Sequence, residues 1–295
     1  MKTPTRLDGQ VAVVTGGGRG LGRGFAQTLA SPGAVVAVLA RSADELAGTV
    51  ALIEDAGGRA RQFQLDVTDA AAVRSAVAAI EQSLGPVDLL VNNAASIGPI
   101  GPFWQIDPET WWRTMDVNLR GSLLCAHAVL PGMVDRRRGR IVNVATAASP
   151  FAYLSSYITS KTALVRAMEC IAAEAQPHGV AVFSIAPGTV RTGMTDSLTA
   201  PEAQQWIPWY RRFFDEGLDV PPERSAQLVL ALASGEFDAL AGLYLTVFDD
   251  LPAIVKEIGR VRREQLHSMR VRMLAANPAI AAIGAIREAG ERGKG

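Results

Sequence analysis

Residues 11–22, VAVVTGGGRGLG, constrain this chain more than any other stretch. An apolar run from Val11 to Val14 ends at Thr15. Glycines then stand at Gly16, Gly17, Gly18, Gly20 and Gly22, and FAQTLA follows with helical character. Strand, glycine turn and helix in that order open a dinucleotide-binding unit. Glycine lets the backbone turn tightly and approach a pyrophosphate closely. The first helical turn then offers unpaired N–H groups and the positive end of its dipole to that anion. Loops are often glycine-rich as well, so the flanking strand and helix patterns carry the assignment.

The chain goes on alternating strands and helices. VVAVLA at 35–40 is a continuous apolar run, as in a strand covered on both faces of a parallel sheet. Ser42 reads as a helix cap with Asp44 and Glu45 in the first turn, and that helix is predicted to end at Gly57. A third strand is expected at 59–65, a helix at 69–84 and a fourth strand at 87–94. A long helical pattern covers 109–134, with a kink expected at Pro131, and Arg136, Arg137 and Arg138 read as a solvated turn. Strands at 141–145, 180–187 and 243–248 and helices at 157–175 and 223–232 complete the alternation. The expected fold is a doubly wound α/β Rossmann domain with a seven-stranded parallel sheet over residues 1–250. A C-terminal helical extension and tail follow at 251–295, the helix predicted from Ala253 to about Leu274.

With 295 residues, 48% of them apolar, the chain can fill a sizeable core. Its formal net charge of zero gives no electrostatic case for nucleic acid. Cys125 and Cys170 form neither a disulfide framework nor a zinc spacing. His127, His178 and His267 are scattered, so no metal is expected: His127 suits packing, and His178 a helix end. The first ten residues lack a signal-peptide core, and no run of 18 apolar residues suggests a membrane span. A cytoplasmic protein without membrane contact is the expectation.

Tyr157 and Lys161 stand four apart on a predicted helix and so share a face. A free tyrosine has a pKa of about 10 and is a poor base at neutral pH. A neighbouring cation lowers it by roughly 1 to 3 units, which suits proton exchange with a carbonyl oxygen. Asn118, in the helix-like DVNLRG, costs helix propensity unless its amide bonds something.

Taken in order, these motifs resemble the short-chain dehydrogenase/reductase family over roughly residues 7–250. Thr15, Gly16, Gly20 and Gly22 match its glycine motif, Asp66 its adenine-contacting acid, and Asn92, Asn93 and Ala94 the motif after the fourth strand. Asn118 matches the catalytic asparagine, Tyr157 and Lys161 the catalytic pair, and Pro187, Gly188 and Thr192 the segment at the nicotinamide end. The resemblance implies a cofactor site that also takes in Gly18, Arg19, Leu21, Arg41, Val67, Asn93, Ala95 and Val190. It further implies that Lys161 binds the nicotinamide ribose, that Asn118 holds a water leading to solvent, and that the protein is a homodimer or homotetramer. Helices at 109–134 and 157–175 are the expected interface elements, with Leu123, Leu124, Val129 and Leu130 serving as core or contact.

Two positions depart from the family pattern. Thr146 stands where serine is usual, with Ser149 as the reserve candidate, and Ala95 stands where glycine is usual. Thr146 keeps a hydroxyl able to donate to a substrate oxygen, although its methyl group crowds the pocket. At the end of the second strand the chain has Ala40 and Arg41 rather than an acid, which favours NADP(H) over NAD(H), with Arg19 adding to the preference.

The expected activity is hydride transfer between a nicotinamide cofactor and a secondary alcohol or ketone. Tyr157 is the acid/base, Lys161 lowers its pKa, Thr146 orients the carbonyl and Asn118 completes the proton path. The altered serine position and Ala95 keep open a catalytically weak nucleotide-binding scaffold or sensor, or a dehydratase or isomerase on the same fold. Residues 189–221 break the strand–helix rhythm and hold Trp206, Trp209, Tyr210, Phe213 and Phe214. Such an insertion lies at the pocket mouth, beyond the carboxyl ends of the strands. Ile97, Ser149, Trp206, Trp209 and Phe213 are expected to line a pocket for a bulky, largely apolar small molecule. Ile100, Phe103 and Trp104 help to form the facing wall, and Arg211 or Arg212 could receive an acidic substrate tail.

Overall fold

The computed structural model describes residues 6–146 and 150–270; Ser149 and Leu274 lie outside the described residues. Seven parallel strands lie in the order β3-β2-β1-β4-β5-β6-β7. They are β1 (Val11–Thr15), β2 (Val35–Ala40), β3 (Arg59–Gln64), β4 (Val87–Asn92), β5 (Gly139–Val144), β6 (Val180–Ala186) and β7 (Tyr244–Thr246). Between β1 and β4 the order reverses, which opens a crevice at the carboxyl ends of those strands.

Helices α1 (Gly20–Ala30), α2 (Ala43–Asp55), α3 (Ala70–Leu84), α4 (Pro108–Met115), α5 (Ser122–Asp135) and α6 (Ser155–Ala175) cover the two faces. Every residue of β1 is buried. Its side chains alternate between two cores, Ala12 and Val14 on one face and Val11 and Val13 on the other. Ser42 caps α2 by accepting from the Glu45 amide, and Asp69 caps α3 by accepting from Ala71 and Ala72.

Two local expectations are corrected. The break in the 109–134 pattern is a π-helical segment at Asp116–Gly121, whereas Pro131 sits inside α5. That segment brings Gly121 so near Val67 that an added Cβ would lie 2.7 Å from Val67 Cγ2. The basic run is an exposed turn, as expected, and its three arginines also clasp their neighbours. Arg136 donates to the Val87 carbonyl at 2.8 Å, Arg137 to that of Pro177 at 2.7 Å, and Arg138 lies 3.3 Å from Asp88.

The second correction concerns the C-terminal helix. In its place stand two short ones, numbered below, and then turns with Gln265 and His267 at positive φ. There the His267 carbonyl accepts from the Tyr244 amide at 2.8 Å, giving the last strand a backbone partner along its open edge. Met269 then donates to Glu169 of α6 at 2.7 Å. A free sheet edge and α6 thus capture a segment that a continuous helix would have carried away from them.

The insertion folds as α7 (Gly193–Thr199), α8 (Pro201–Gln204), a 3-10 turn at Pro208–Arg211 and α9 (Arg212–Asp215). It is followed by α10 (Pro222–Ala233) and, after β7, by α11 (Leu251–Lys256) and α12 (Ile258–Arg263).

Candidate active site

At the strand crossover the Thr15 hydroxyl accepts from the amides of Asn93 at 2.9 Å and Ala94 at 3.0 Å, locking β1 to β4. Asn93 Nδ2 returns a bond to the Thr15 carbonyl at 3.0 Å. Gly16 and Gly20 have φ of +63° and +53°, a region costly for side-chain-bearing residues. A Cβ on Gly22 would lie 2.1 Å from the Gly16 carbonyl oxygen, and one on Gly18 would lie 2.9 Å from Glu45 Cβ. Arg23 and Thr49 donate to the Gly18 carbonyl and hold the turn from beneath. No side chain caps α1 at Arg19, so the first-turn N–H groups, Leu21 among them, face the crevice. Tight glycines around an uncapped helix start fit the pyrophosphate of a dinucleotide.

Arg19 and Arg41 are both exposed. Arg19 lies 3.3 Å from Glu45, an acid that chain order alone did not place beside the glycine turn. Asp66 Oδ1 accepts from the Thr68 amide and hydroxyl at 2.9 and 2.8 Å, which leaves Oδ2 for another donor. Val67 beside it is buried. Ala95, in the loop after β4, avoids the positive-φ region that would demand glycine.

Lys161 is only 2% exposed and donates from Nζ to the Val144 carbonyl at 2.7 Å. Burial lowers its pKa from the ordinary 10.5 to about 8. Tyr157, one helical turn earlier, is half-buried. Burial raises the pKa of its phenol, and the phenol of Tyr210 adds to the rise. The expected lowering by Lys161 is therefore corrected to a rise. Desolvation of the phenol dominates, and the ammonium group is directed at a backbone carbonyl. Thr146 follows β5 at the same end of the sheet, half-buried.

Asn118 is completely buried and fully engaged. Its Oδ1 accepts from the Ser96 amide at 2.7 Å, while Nδ2 donates to the Ser96 carbonyl and to Ser160 Oγ, both at 2.9 Å. Ser160 in turn donates to the Tyr157 carbonyl at 2.7 Å. Deeper still, Asn92 Nδ2 donates to Ser122 O at 3.0 Å and to Asn143 Oδ1 at 2.9 Å, bracing β4 against β5.

The segment after β6 closes the site. Ser225 donates to the Pro187 carbonyl at 2.7 Å, and Gly188 has a φ of +75°. A Cβ there would meet Val220 Cγ2 at 2.6 Å. Val190 is buried, and Thr192 begins α7 in a reciprocal cap with Thr195. The Thr192 methyl group would stand 3.6 Å from a Cβ on Gly20, so this segment packs on the glycine turn.

Above it lies a third apolar cluster built on Leu154, Ile158, Leu198, Ala203 and Ile207. Ile97, Ile100, Phe151, Tyr157, Trp206 and Tyr210 pack against it. Trp206 stacks on Tyr153 at 5.3 Å between ring centroids, Trp209 on Phe151 at 5.4 Å, and Phe213 meets Trp209 at 6.2 Å. The expected wall is thereby corrected. Phe103 and Trp104 are 65% and 81% exposed and stand outside this cluster, where Phe151 and Tyr153 meet the tryptophans instead. Sequence reading also missed Ser160, whose one visible signal was its place between Tyr157 and Lys161. Among the described residues, no group of three or more His, Cys, Asp or Glu is arranged to hold a metal ion. No described helix is long and apolar enough to cross a membrane.

The family model for short chain dehydrogenases matches residues 10–203. The chain belongs to the short-chain dehydrogenase/reductase family. Among relatives of this short-chain dehydrogenase/reductase is the short chain dehydrogenase pigC of Monascus ruber, 34% identical over 84% of this chain and 82% of its own. The 2,3-dihydro-2,3-dihydroxybenzoate dehydrogenase of Bacillus subtilis is 34% identical over 78% of this chain and 91% of its own. An actinorhodin polyketide ketoreductase solved with NADPH aligns at a TM-score of 0.76 and 29% identity, covering 81% of this chain and 95% of that one. A 7α-hydroxysteroid dehydrogenase solved with NADH aligns at 0.73 and 29% identity, covering 82% and 94%. This short-chain dehydrogenase/reductase is an NAD(P)-dependent oxidoreductase that works by hydride transfer.

Proposed function

We propose that this enzyme interconverts a bulky, largely apolar ketone and its secondary alcohol, with NADP(H) as the preferred cofactor. The observation that carries the reading is the placement of Tyr157. It sits at the start of α6, in the same apolar cluster as Ile97 and Trp206, one turn from a buried lysine. Bound nicotinamide supplies or accepts the hydride. Tyr157 gives a proton to the ketone oxygen, and its raised pKa keeps it protonated at neutral pH, as an acid requires. Thr146 donates to the same oxygen and orients it. Lys161, its pKa lowered by burial to about 8 and so still mostly charged at neutral pH, returns the proton and binds the ribose. Asn118 holds the loop at Ser96 and the helix at Ser160 in register along that path.

Arg19 and Arg41 support the NADP(H) preference, since a 2′-phosphate can replace Glu45 as the partner of Arg19. The aromatic cover supports a ring-bearing substrate. So does the similarity to proteins named for a polyketide and a steroid. Another relative is named galactitol 2-dehydrogenase, which makes a polyol the proper counter-substrate.

Assembly through α5 and α6 into a homodimer or homotetramer belongs to this reading. Val129 is buried within one chain, while Leu123, Leu124 and Leu130 are half-covered and suit a contact. Cys125 and Cys170 are unpaired, which suits a reducing cytoplasm. The test is a kinetic panel in the oxidative direction of 1-decalol, 1-tetralol, 2-butanol and galactitol with NADP+ and with NAD+. The reading requires a higher kcat/KM on the ring alcohols, and a preference for galactitol overturns it.

A further inference from the structure

The insertion brings a second phenol to the reacting end of the site. Tyr210 belongs to the apolar cluster that holds Tyr157, and its phenol is near enough to act on Tyr157 electrostatically. Its ring is wedged among Trp209 at 5.8 Å, Phe213 at 5.6 Å and Phe214 at 6.0 Å between centroids. Its amide bonds the carbonyl of fully buried Ile207 at 3.0 Å, which fixes the turn that carries it. Three ring contacts and an anchored backbone leave this side chain little freedom. Its oxygen meets the hydroxyl of Thr189, two residues past Pro187 in the segment at the nicotinamide end. The Thr189 carbonyl is itself held by the Val220 amide at 2.7 Å.

A phenol can donate one hydrogen bond and accept others. A phenol oxygen can accept from a neighbouring hydroxyl such as that of Thr189 while its own O–H donates to a ligand. Burial raises the pKa of Tyr210 and keeps that proton in place. A fixed, neutral donor set in an aromatic wall, beside the proton donor for the reacting carbonyl, selects for an acceptor.

We infer that Tyr210 is a specificity residue, donating its phenol O–H to a second oxygen that the substrate carries apart from the reacting carbonyl. The inference rests on the proposed ring-ketone function and narrows it to oxygenated ring ketones. A site built to bond an oxygen discriminates against the analogue lacking it, because the buried donor is then left unpaired.

The test compares 4-hydroxy-1-tetralone with 1-tetralone on wild type, Tyr210→Phe and Thr189→Val, with cofactor bound. Binding is followed by quenching of tryptophan fluorescence, since Trp206 and Trp209 line the cluster, and turnover is followed in parallel. Wild type should favour the hydroxylated ketone at least tenfold in Kd and in kcat/KM. Tyr210→Phe, which keeps the ring, should bring both ratios to within about twofold of unity. Thr189→Val should retain the preference. A wild-type ratio near one, or a Tyr210→Phe protein that keeps the wild-type ratio, overturns the inference. Because the Kd ratio is read without turnover, failure of the ketone reading shows separately as binding without reaction.

Discussion

Asn118 Nδ2 donates to Ser160 Oγ at 2.9 Å, joining the π-helical segment to the helix that carries Tyr157 and Lys161. Ser160 passes the connection on to the Tyr157 carbonyl. Ser160→Ala leaves one buried N–H without an acceptor, at a cost of about 1–3 kcal/mol in stability. The expected result is a lower Tm and roughly a tenfold fall in kcat, with the Kd for cofactor within about twofold of wild type. Ser160→Thr should restore most of kcat. Equal losses in kcat and cofactor affinity would assign Ser160 to general packing.

The glycine turn makes a steric prediction. Gly22→Ala puts a methyl group 2.1 Å from the Gly16 carbonyl, which must move. Overpacking of this kind costs about 1–3 kcal/mol, and the displaced carbonyl deforms the pyrophosphate cradle. Urea unfolding should show the loss, and titration with NADPH should show at least a tenfold weaker Kd. Gly24→Ala on the same helix has open space around it, so it should leave the Kd unchanged and raise stability by about 0.5–1 kcal/mol.

The buried lysine makes stability depend on pH. Lys161 has a folded pKa of about 8 against an ordinary 10.5, so between these values the unfolded chain binds more protons than the folded one. Stability therefore rises with pH across that window. The penalty is fully present below about pH 8. Its size is about 3 kcal/mol at one pKa unit per ~1.4 kcal/mol. Tyr157 is shifted upward, which lowers stability only above its ordinary 10, and the buried Cys125 thiol, raised from 9.0 to about 12, opposes the lysine above about pH 9, so the range from about pH 8 to 9 reports on the lysine. Urea midpoints of wild type should climb through that range, and the climb should vanish in Lys161→Met.

Much of the fold was legible because its signals are local. The run at 35–40 became β2 with the same bounds, and Ser42 and Asp69 became caps. The π-helical segment was not legible. Its residues keep a helical hydrophobic pattern, and the contact it makes, Gly121 against Val67, joins positions far apart in sequence. The break after α12 is likewise set by the edge of β7 and by Glu169. In the site, matching motifs picked out Asn118, Tyr157 and Lys161. Whether Lys161 or desolvation governs Tyr157 depends on depth in the fold, which spacing does not encode. Glu45 beside Arg19, and Tyr210 beside Tyr157, are meetings made by tertiary packing alone.

Cofactor choice turns on the same packing. Arg41→Ala and Arg19→Ala should each weaken NADPH about 5- to 30-fold, as for loss of a charge-assisted bond of about 1–2 kcal/mol, and should change NADH little. Glu45→Gln frees Arg19 and should tighten NADPH. Kd values for both cofactors, measured for each variant at one ionic strength, check this. Equal losses for NADPH and NADH would assign the arginines to the shared pyrophosphate instead.

The most direct test of the central claim is Tyr157→Phe, assayed for ketone reduction and for cofactor binding in the same preparation. The ring and its apolar contacts remain, and only the proton donor is lost. The account predicts a fall in kcat of roughly 10²- to 10⁴-fold, the range of general acid catalysis, with the Kd for NADPH and the Tm close to wild type. A variant that keeps more than a tenth of wild-type kcat would contradict the assignment of Tyr157 as the acid.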